Sequence, residues 1–175
     1  MSLLIRSAAP GDAALIGALV RELAEYEKLS HEALATEDDF DRALFGPSPR
    51  VFCEIAEVDG APAGFTLWFY TFSTFVGRHG IYLEDIFVRP QFRKRGVGRA
   101  LIDRLAARCA EEGLGRFEWS VLKWNAPAIS FYESLGAVAM DGWTVYRTDG
   151  DALARLGSDA ASRAGRRAGD EDGTR

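Results

Sequence analysis

Tyr82-Leu83-Glu84-Asp85-Ile86-Phe87-Val88-Arg89-Pro90-Gln91-Phe92-Arg93-Lys94-Arg95-Gly96-Val97-Gly98-Arg99 is the stretch on which the fold turns. Its apolar first half reads as a strand that ends before Pro90, because proline has no N–H to give a ladder. Beyond Gly96 and Gly98, the residues Leu101, Ile102, Leu105, Ala106 and Cys109 recur at helical spacing as far as Gly113. A strand therefore enters a helix through a basic, glycine-bearing turn. The first N–H groups of a helix lack internal acceptors and sit at the positive end of its dipole, so a turn free of bulky side chains there can cradle a phosphate. Arg93, Lys94, Arg95 and Arg99 add positive charge around it. A Walker loop is absent, and the dinucleotide fingerprint fails because Leu101 stands where its third glycine belongs. Taken alone, the turn is equally an ordinary strand-to-helix connection with an exposed basic face.

Outward from this stretch, Leu3 to Ser7 reads as a first strand, and Pro10-Gly11-Asp12 opens a helix carrying Leu15, Ile16, Leu19, Val20 and Leu23. A second helix covers about Glu37 to Phe45 and stops at Gly46-Pro47. Val51 to Val58, Ala63 to Phe72 and Gly80 to Val88 form an antiparallel meander, the first two joined by an Asp59-Gly60 hairpin turn. Downstream, Phe117 to Leu122 is a strand. Asn125 and Pro127 open a short helix with Ile129, Tyr132 and Leu135, which Gly136 closes. Gly142 to Arg147 reads as a last strand, with room for a further short one at Ala137 to Ala139. The expected class is α/β (α+β), a mixed and mostly antiparallel central sheet flanked by helices.

The chain has 175 residues, 47% of them hydrophobic and 11% aromatic, enough for one compact domain with a real core. No run is long and apolar enough to span a bilayer, and Met1 to Arg6 lacks the basic start and apolar stretch of a signal peptide. A cytoplasmic protein without membrane association is expected. Cys53 and Cys109 form no CxxC pair, and His31 and His79 make no ligand cluster with them, so neither a disulfide framework nor a metal site is expected. A net charge of −5 disfavours nucleic acid as a partner and mildly favours cations. From Ser158 onward the chain turns to Ala, Gly, Arg and Asp without a large apolar residue; residues 158–175 are expected to form a polar tail without fixed structure, behind a domain covering 1–157.

The turn resembles the pyrophosphate-binding signature of the GNAT superfamily of N-acetyltransferases, Arg/Gln-x-x-Gly-x-Gly/Ala, matched by Arg93, Gly96 and Gly98 after the strand Leu83 to Val88. A second match follows in Trp124-Asn125-Ala126-Pro127-Ala128-Ile129-Ser130-Phe131-Tyr132-Glu133-Ser134-Leu135-Gly136-Ala137. The pairing of Leu23-Ala24-Glu25-Tyr26-Glu27 with Tyr82-Leu83-Glu84-Asp85 and Trp124 to Pro127 is similar to the diamine (spermidine/spermine-type) branch. Two departures stand out. Lys94 occupies the place of a family glycine, and Ser73-Thr74-Phe75 replaces an acidic residue and a tryptophan of animal polyamine enzymes.

That resemblance implies an acetyl-CoA-dependent enzyme that acetylates a primary amine of a small cationic molecule, a polyamine, another diamine or a thialysine-like amino acid. A protein N-terminus or lysine as acceptor, or CoA binding without turnover, are its alternatives. It implies that Arg93, Lys94, Arg95, Gly96, Val97, Gly98 and Arg99 clasp the CoA pyrophosphate. Backbone at Ile86, Phe87 and Val88 would line the pantetheine arm beside a bulge that splays this strand from Phe117 to Leu122, with Asn125, Pro127 and Ala128 also touching the cofactor. An amine resembling lysine is mostly protonated at neutral pH, titrating near ~10.4. Glu84 is the candidate to hold that ammonium and accept its proton, directly or through water, and Tyr132 the candidate to protonate the departing thiolate. Tyr26, Glu27 and Asp141 would complete the amine site, in a homodimer. Glu84 is by composition equally a solvent-facing strand carboxylate, and Tyr132 equally a core tyrosine.

Overall fold

The computed structural model describes residues 1–172, and the chain divides into two compact units, one ending at Trp124 and the other starting at Asn125. The first unit is built on a five-stranded sheet in the order β1-β2-β3-β4-β5: β1 Leu3–Ser7, β2 Phe52–Val58, β3 Ala61–Ser73, β4 Arg78–Val88 and β5 Phe117–Trp119. The first four strands pair antiparallel, and β5 joins β4 in parallel. Asp59 and Gly60 both take positive φ (50° and 79°), the two-residue turn whose twist matches that of the strands it joins.

Alternation along the strands gives the sheet two apolar faces. On one face, Cys53, Ile55, Phe65 and Phe87 pack against Ile16, Leu19 and Leu23 of α1 (Ala13–Glu27) and Leu44 of α2 (Glu37–Phe45). On the other, Ala56, Val58 and Ala63 pack against Val97 and Leu101 of α3 (Val97–Glu111), with Ile86 and Val88 joining them. The α1 helix ends on Lys28 in the left-handed conformation; the Lys28 and Leu29 amides return to the Ala24 and Glu25 carbonyls. Tyr26, in the last turn of α1, packs against the core of the α1 face.

The second unit holds α4 (Ala126–Ser134) and α5 (Gly150–Asp172). Two expectations are corrected here. Gly142 to Arg147 and Ala137 to Ala139 form no strand; Trp143, Val145 and Tyr146 are exposed in an irregular segment. Their alternation is strand-like, but a strand exists only where a ladder accepts its N–H and C=O groups, and the other elements of this unit are helices. α5 runs on past Ser158 to Asp172, in keeping with its Ala, Arg and Leu content. Residues 173–175 of that tail lie outside the described residues. Among those described, no helix is long and apolar enough to cross a membrane.

Candidate active site

The strand that carries the site is interrupted by a bulge. Trp68 of β3 pairs with Leu83 and its neighbour Leu67 pairs with Asp85, which leaves Glu84 with no residue opposite. Two residues against one reset the alternation of β4. Leu83, opposite Trp68, belongs to the face where Arg108 of α3 stacks over the Trp68 ring, whereas Asp85, opposite Leu67, shares the α1 face with Phe87. The parallel pairing with β5 also stops here, at Leu83 with Trp119. From Asp85 to Val88 the strand pairs with β3 alone.

The electrostatics follow from this turn of the strand. Glu84 is exposed, while Asp85 is half-buried with its carboxyl pushed up to about 7, chiefly by burial and then by the negative charges of Glu84 and Glu27. Glu27, half-buried on the last turn of α1, is raised in its turn by burial. Beside these carboxylates the Tyr26 ring lies 6.0 Å from that of Trp124, tilted by 53°. Three acids and two aromatic faces can hold an ammonium by charge and by cation–π attraction.

Past Val88 comes the basic turn. Pro90–Phe92 makes a single 3-10 turn, Lys94 takes a left-handed φ of 60°, and Gly96, with φ of 80°, leads into α3. No side chain caps that helix, so the Val97, Gly98 and Arg99 amides face outward without an intrahelical acceptor. Gly96 is required by its φ. Gly98 is not: a Cβ there would meet only Val88 Cγ2 at 3.7 Å, an ordinary contact. The chain's own packing leaves this position free to be larger, and what the bare glycine preserves is open approach to the amides. Arg93 donates from Nε to the Val88 carbonyl at 2.9 Å and lies over the Tyr26 ring. Arg95 lies over Phe92, and Arg99 is held by Asp103 at 2.7 Å.

In the second unit, Asn125 caps α4 by accepting from the Ala128 amide, Pro127 sits in the first turn, and Tyr132 is buried on the same helix. Asp141 is exposed in the irregular segment. The structure thus gathers Tyr26, Glu27, Glu84 and Arg93 in the first unit, and places Asn125, Pro127, Ala128, Tyr132 and Asp141 in the second. Ser73, Thr74 and Phe75 lie at the tip of the β3–β4 hairpin, with Phe75 fully exposed. Asp85 is the residue that sequence reasoning passed over. Its only signal was its place beside Glu84, and regular alternation would put it on the opposite face.

The profile of the acetyltransferase (GNAT) family matches residues 17–137. The chain belongs to this family. It is 38% identical over 166 residues to the thialysine N-epsilon-acetyltransferase of Sus scrofa, covering 89% of this chain and 97% of that protein. It is 30% identical over 159 residues to the human spermidine/spermine N(1)-acetyltransferase-like protein 1, covering 85% of this chain and 23% of that much longer one. Among solved structures, an integron cassette protein from the mobile metagenome of V. cholerae superposes with a TM-score of 0.75 at 26% identity, over 90% of this chain and 98% of that one. The GNAT protein described here is an acetyltransferase enzyme. Among its described residues, no group of His, Cys, Asp and Glu is arranged to hold a metal ion.

Proposed function

We propose that this enzyme moves an acetyl group from acetyl-CoA to the primary amine of a small cationic amino acid of the thialysine kind, with diamines as the neighbouring substrate class. The observation that carries the reading is a conjunction on one strand. Its bulge presents Glu84 and Asp85 beside Glu27 and Tyr26, and its end leads directly into the uncapped, glycine-bearing helix start. The greater identity to the thialysine enzyme supports an amino acid over a long polyamine, as does the loss of an acidic residue at Ser73-Thr74-Phe75.

The residues present fit the CoA thioester. The outward amides of Val97, Gly98 and Arg99 suit a pyrophosphate, Gly98 is bare where a Cβ would fit, and Arg93, Lys94, Arg95 and Arg99 supply countercharge. The backbone at Ile86, Phe87 and Val88, beyond the last β4–β5 pair, offers hydrogen bonds to the pantetheine amides, and Asn125, Pro127 and Ala128 at the head of α4 are assigned to the same ligand. Bound there, acetyl-CoA supplies the acetyl group as an activated thioester. Glu84, with Tyr26, Glu27 and Asp141, holds the substrate ammonium, and a bulge carboxylate removes its proton so that the nitrogen lone pair is available. Tyr132 keeps a proton on its hydroxyl for the departing sulfur. A cytoplasmic homodimer completes the proposal, and sedimentation at micromolar concentration tests the dimer.

Incubation with acetyl-CoA and a panel of thialysine, lysine, diamines, polyamines and lysine-bearing peptides, read by product mass, decides the substrate. Thialysine-type amines should gain one acetyl group fastest. Product on peptides alone would make the chain a protein acetyltransferase, and CoA binding without any product would make it a non-catalytic module.

A further inference from the structure

Two arginines four residues apart, Arg89 and Arg93, flank the 3-10 turn Pro90–Phe92 between β4 and α3. Each engages α1, and the residues they meet, Glu22 and Tyr26, are also four apart and so share one face of that helix. The Tyr26–Arg93 contact belongs to the candidate site; the Glu22–Arg89 pair lies one helical turn back from it. Arg89 grips Glu22 at both carboxylate oxygens, donating from Nε to Oε2 at 2.9 Å and from Nη2 to Oε1 at 2.6 Å, and its Nη1 donates to the Pro62 carbonyl at 2.9 Å. Its amide donates to the Ala63 carbonyl at 2.9 Å, so α1, the start of β3 and the end of β4 meet at one residue. All three guanidinium nitrogens are engaged within the chain, which sets Arg89 apart from the exposed Lys94 and Arg95.

The core already holds the body of α1 through Ile16, Leu19 and Leu23. Leu23 is the last fully buried residue of that helix, and the turn beyond it carries Tyr26 and Glu27. A planar fork held at two oxygens resists both sliding and rotation of the helix that carries them, which a single point charge does not. Resting on the amine-acetylation reading above, we infer that Arg89 is a positioning residue for acetyl transfer: through Glu22 it sets the last turn of α1, with Tyr26 and Glu27, at a fixed place against the turn assigned to the CoA pyrophosphate. An amine held from α1 is thereby presented at one distance to a thioester held from the β4–α3 turn. Transfer depends steeply on that distance, since about 1 Å of misplacement costs on the order of 100-fold in rate.

The test uses the full chain and the best amine from the panel. Arg89→Lys keeps the charge and loses the fork; Glu22→Asp keeps both charges and shortens the reach by one methylene. For each, kcat, the KM of amine and of acetyl-CoA, calorimetric CoA affinity and thermal unfolding are measured. Both substitutions should lower kcat by about 10-fold or more and raise the amine KM several-fold, with CoA affinity within about twofold of the unaltered enzyme. Unchanged kcat and amine KM, whatever the melting temperature, overturn the inference and leave the pair a support of the fold. A loss confined to CoA affinity overturns it as well, by assigning Arg89 to the pyrophosphate. Should Arg89→Lys be unfolded at the assay temperature, Glu22→Asp decides by the same readings. In each of these outcomes the unaltered enzyme still acetylates its amine; its failure to acetylate any amine overturns the proposed function together with this inference.

Discussion

The Arg93 guanidinium lies 4.6 Å from the centroid of the Tyr26 ring, joining the basic turn after β4 to the aromatic end of α1. The same side chain lies 5.7 Å from Phe87 and donates to the Val88 carbonyl, so one residue ties together the two halves of the candidate site. In the family signature this arginine belongs to the pyrophosphate turn. Here it also supports a ring assigned to the amine.

Arg93→Ala should therefore damage both binding functions at once. Loss of a stacked cation and a carbonyl hydrogen bond is worth about 1–2 kcal/mol. CoA affinity by calorimetry should fall roughly 5- to 30-fold, and the amine KM should rise by several-fold. Arg93→Lys should keep the charge and much of the CoA affinity but lose the stacking, so its amine KM should stay high. An effect confined to CoA would remove the coupling between turn and ring.

Gly96 and Gly98 should separate fold from ligand. Alanine at Gly96 must adopt a φ of 80°, which costs about 1–2 kcal/mol of stability, and thermal unfolding should report it. Alanine at Gly98 meets only Val88 Cγ2 at 3.7 Å and lies inside a helix, so stability should hold or rise by up to about 1 kcal/mol. Its CoA affinity should nevertheless drop at least tenfold, because a methyl group stands over the amides. Unchanged affinity in Gly98→Ala would show that the pyrophosphate sits elsewhere.

The order of elements from β1 to α4 was legible because it rests on signals local in sequence. Leu15 to Leu23 mark α1, Asp59-Gly60 marks a hairpin, and Gly96 and Gly98 mark the head of α3. What was not legible depends on pairing between distant segments. The bulge opposite Leu67 and Trp68 is a property of the β3–β4 ladder, so the chain read alone assigns Glu84 and Asp85 to opposite faces and singles out one of them. The same blindness promoted Trp143 to Tyr146 to a strand, since alternation speaks of side chains and says nothing of a partner. β5 was read to Leu122 and ends at Trp119, where the β4 partner departs.

Asp85 should also lower stability as pH rises. Its carboxyl is more basic in the folded chain, about 7, than the 3.8 usual for an exposed aspartate. The folded state thus binds more protons between those values, and unfolding free energy falls as pH climbs from about 4 to about 7, then levels off. Above pH 7 the fold carries an ionised, half-buried carboxylate beside two others. Asp85→Asn removes it and should stabilise the protein at pH 8 by on the order of 2 kcal/mol, with little effect at pH 4. Denaturant melts at the two pH values check this; equal shifts at both would mean that Asp85 is well solvated.

Tyr132→Phe is the sharpest test of the acid. The ring is buried on α4, and phenylalanine preserves its apolar volume while deleting only the hydroxyl. Loss of a buried hydroxyl costs stability about 1 kcal/mol at most when its partners can reach water, so the variant should fold and bind CoA. If the hydroxyl protonates the departing sulfur, kcat should fall about 100-fold or more while the amine KM changes little, since the proton is needed after the amine is bound. A thioester with a more acidic thiol leaving group should restore much of the lost rate, because its sulfur departs without help. A full rate in Tyr132→Phe would instead leave the tyrosine with a packing role and require the thiolate to leave unprotonated.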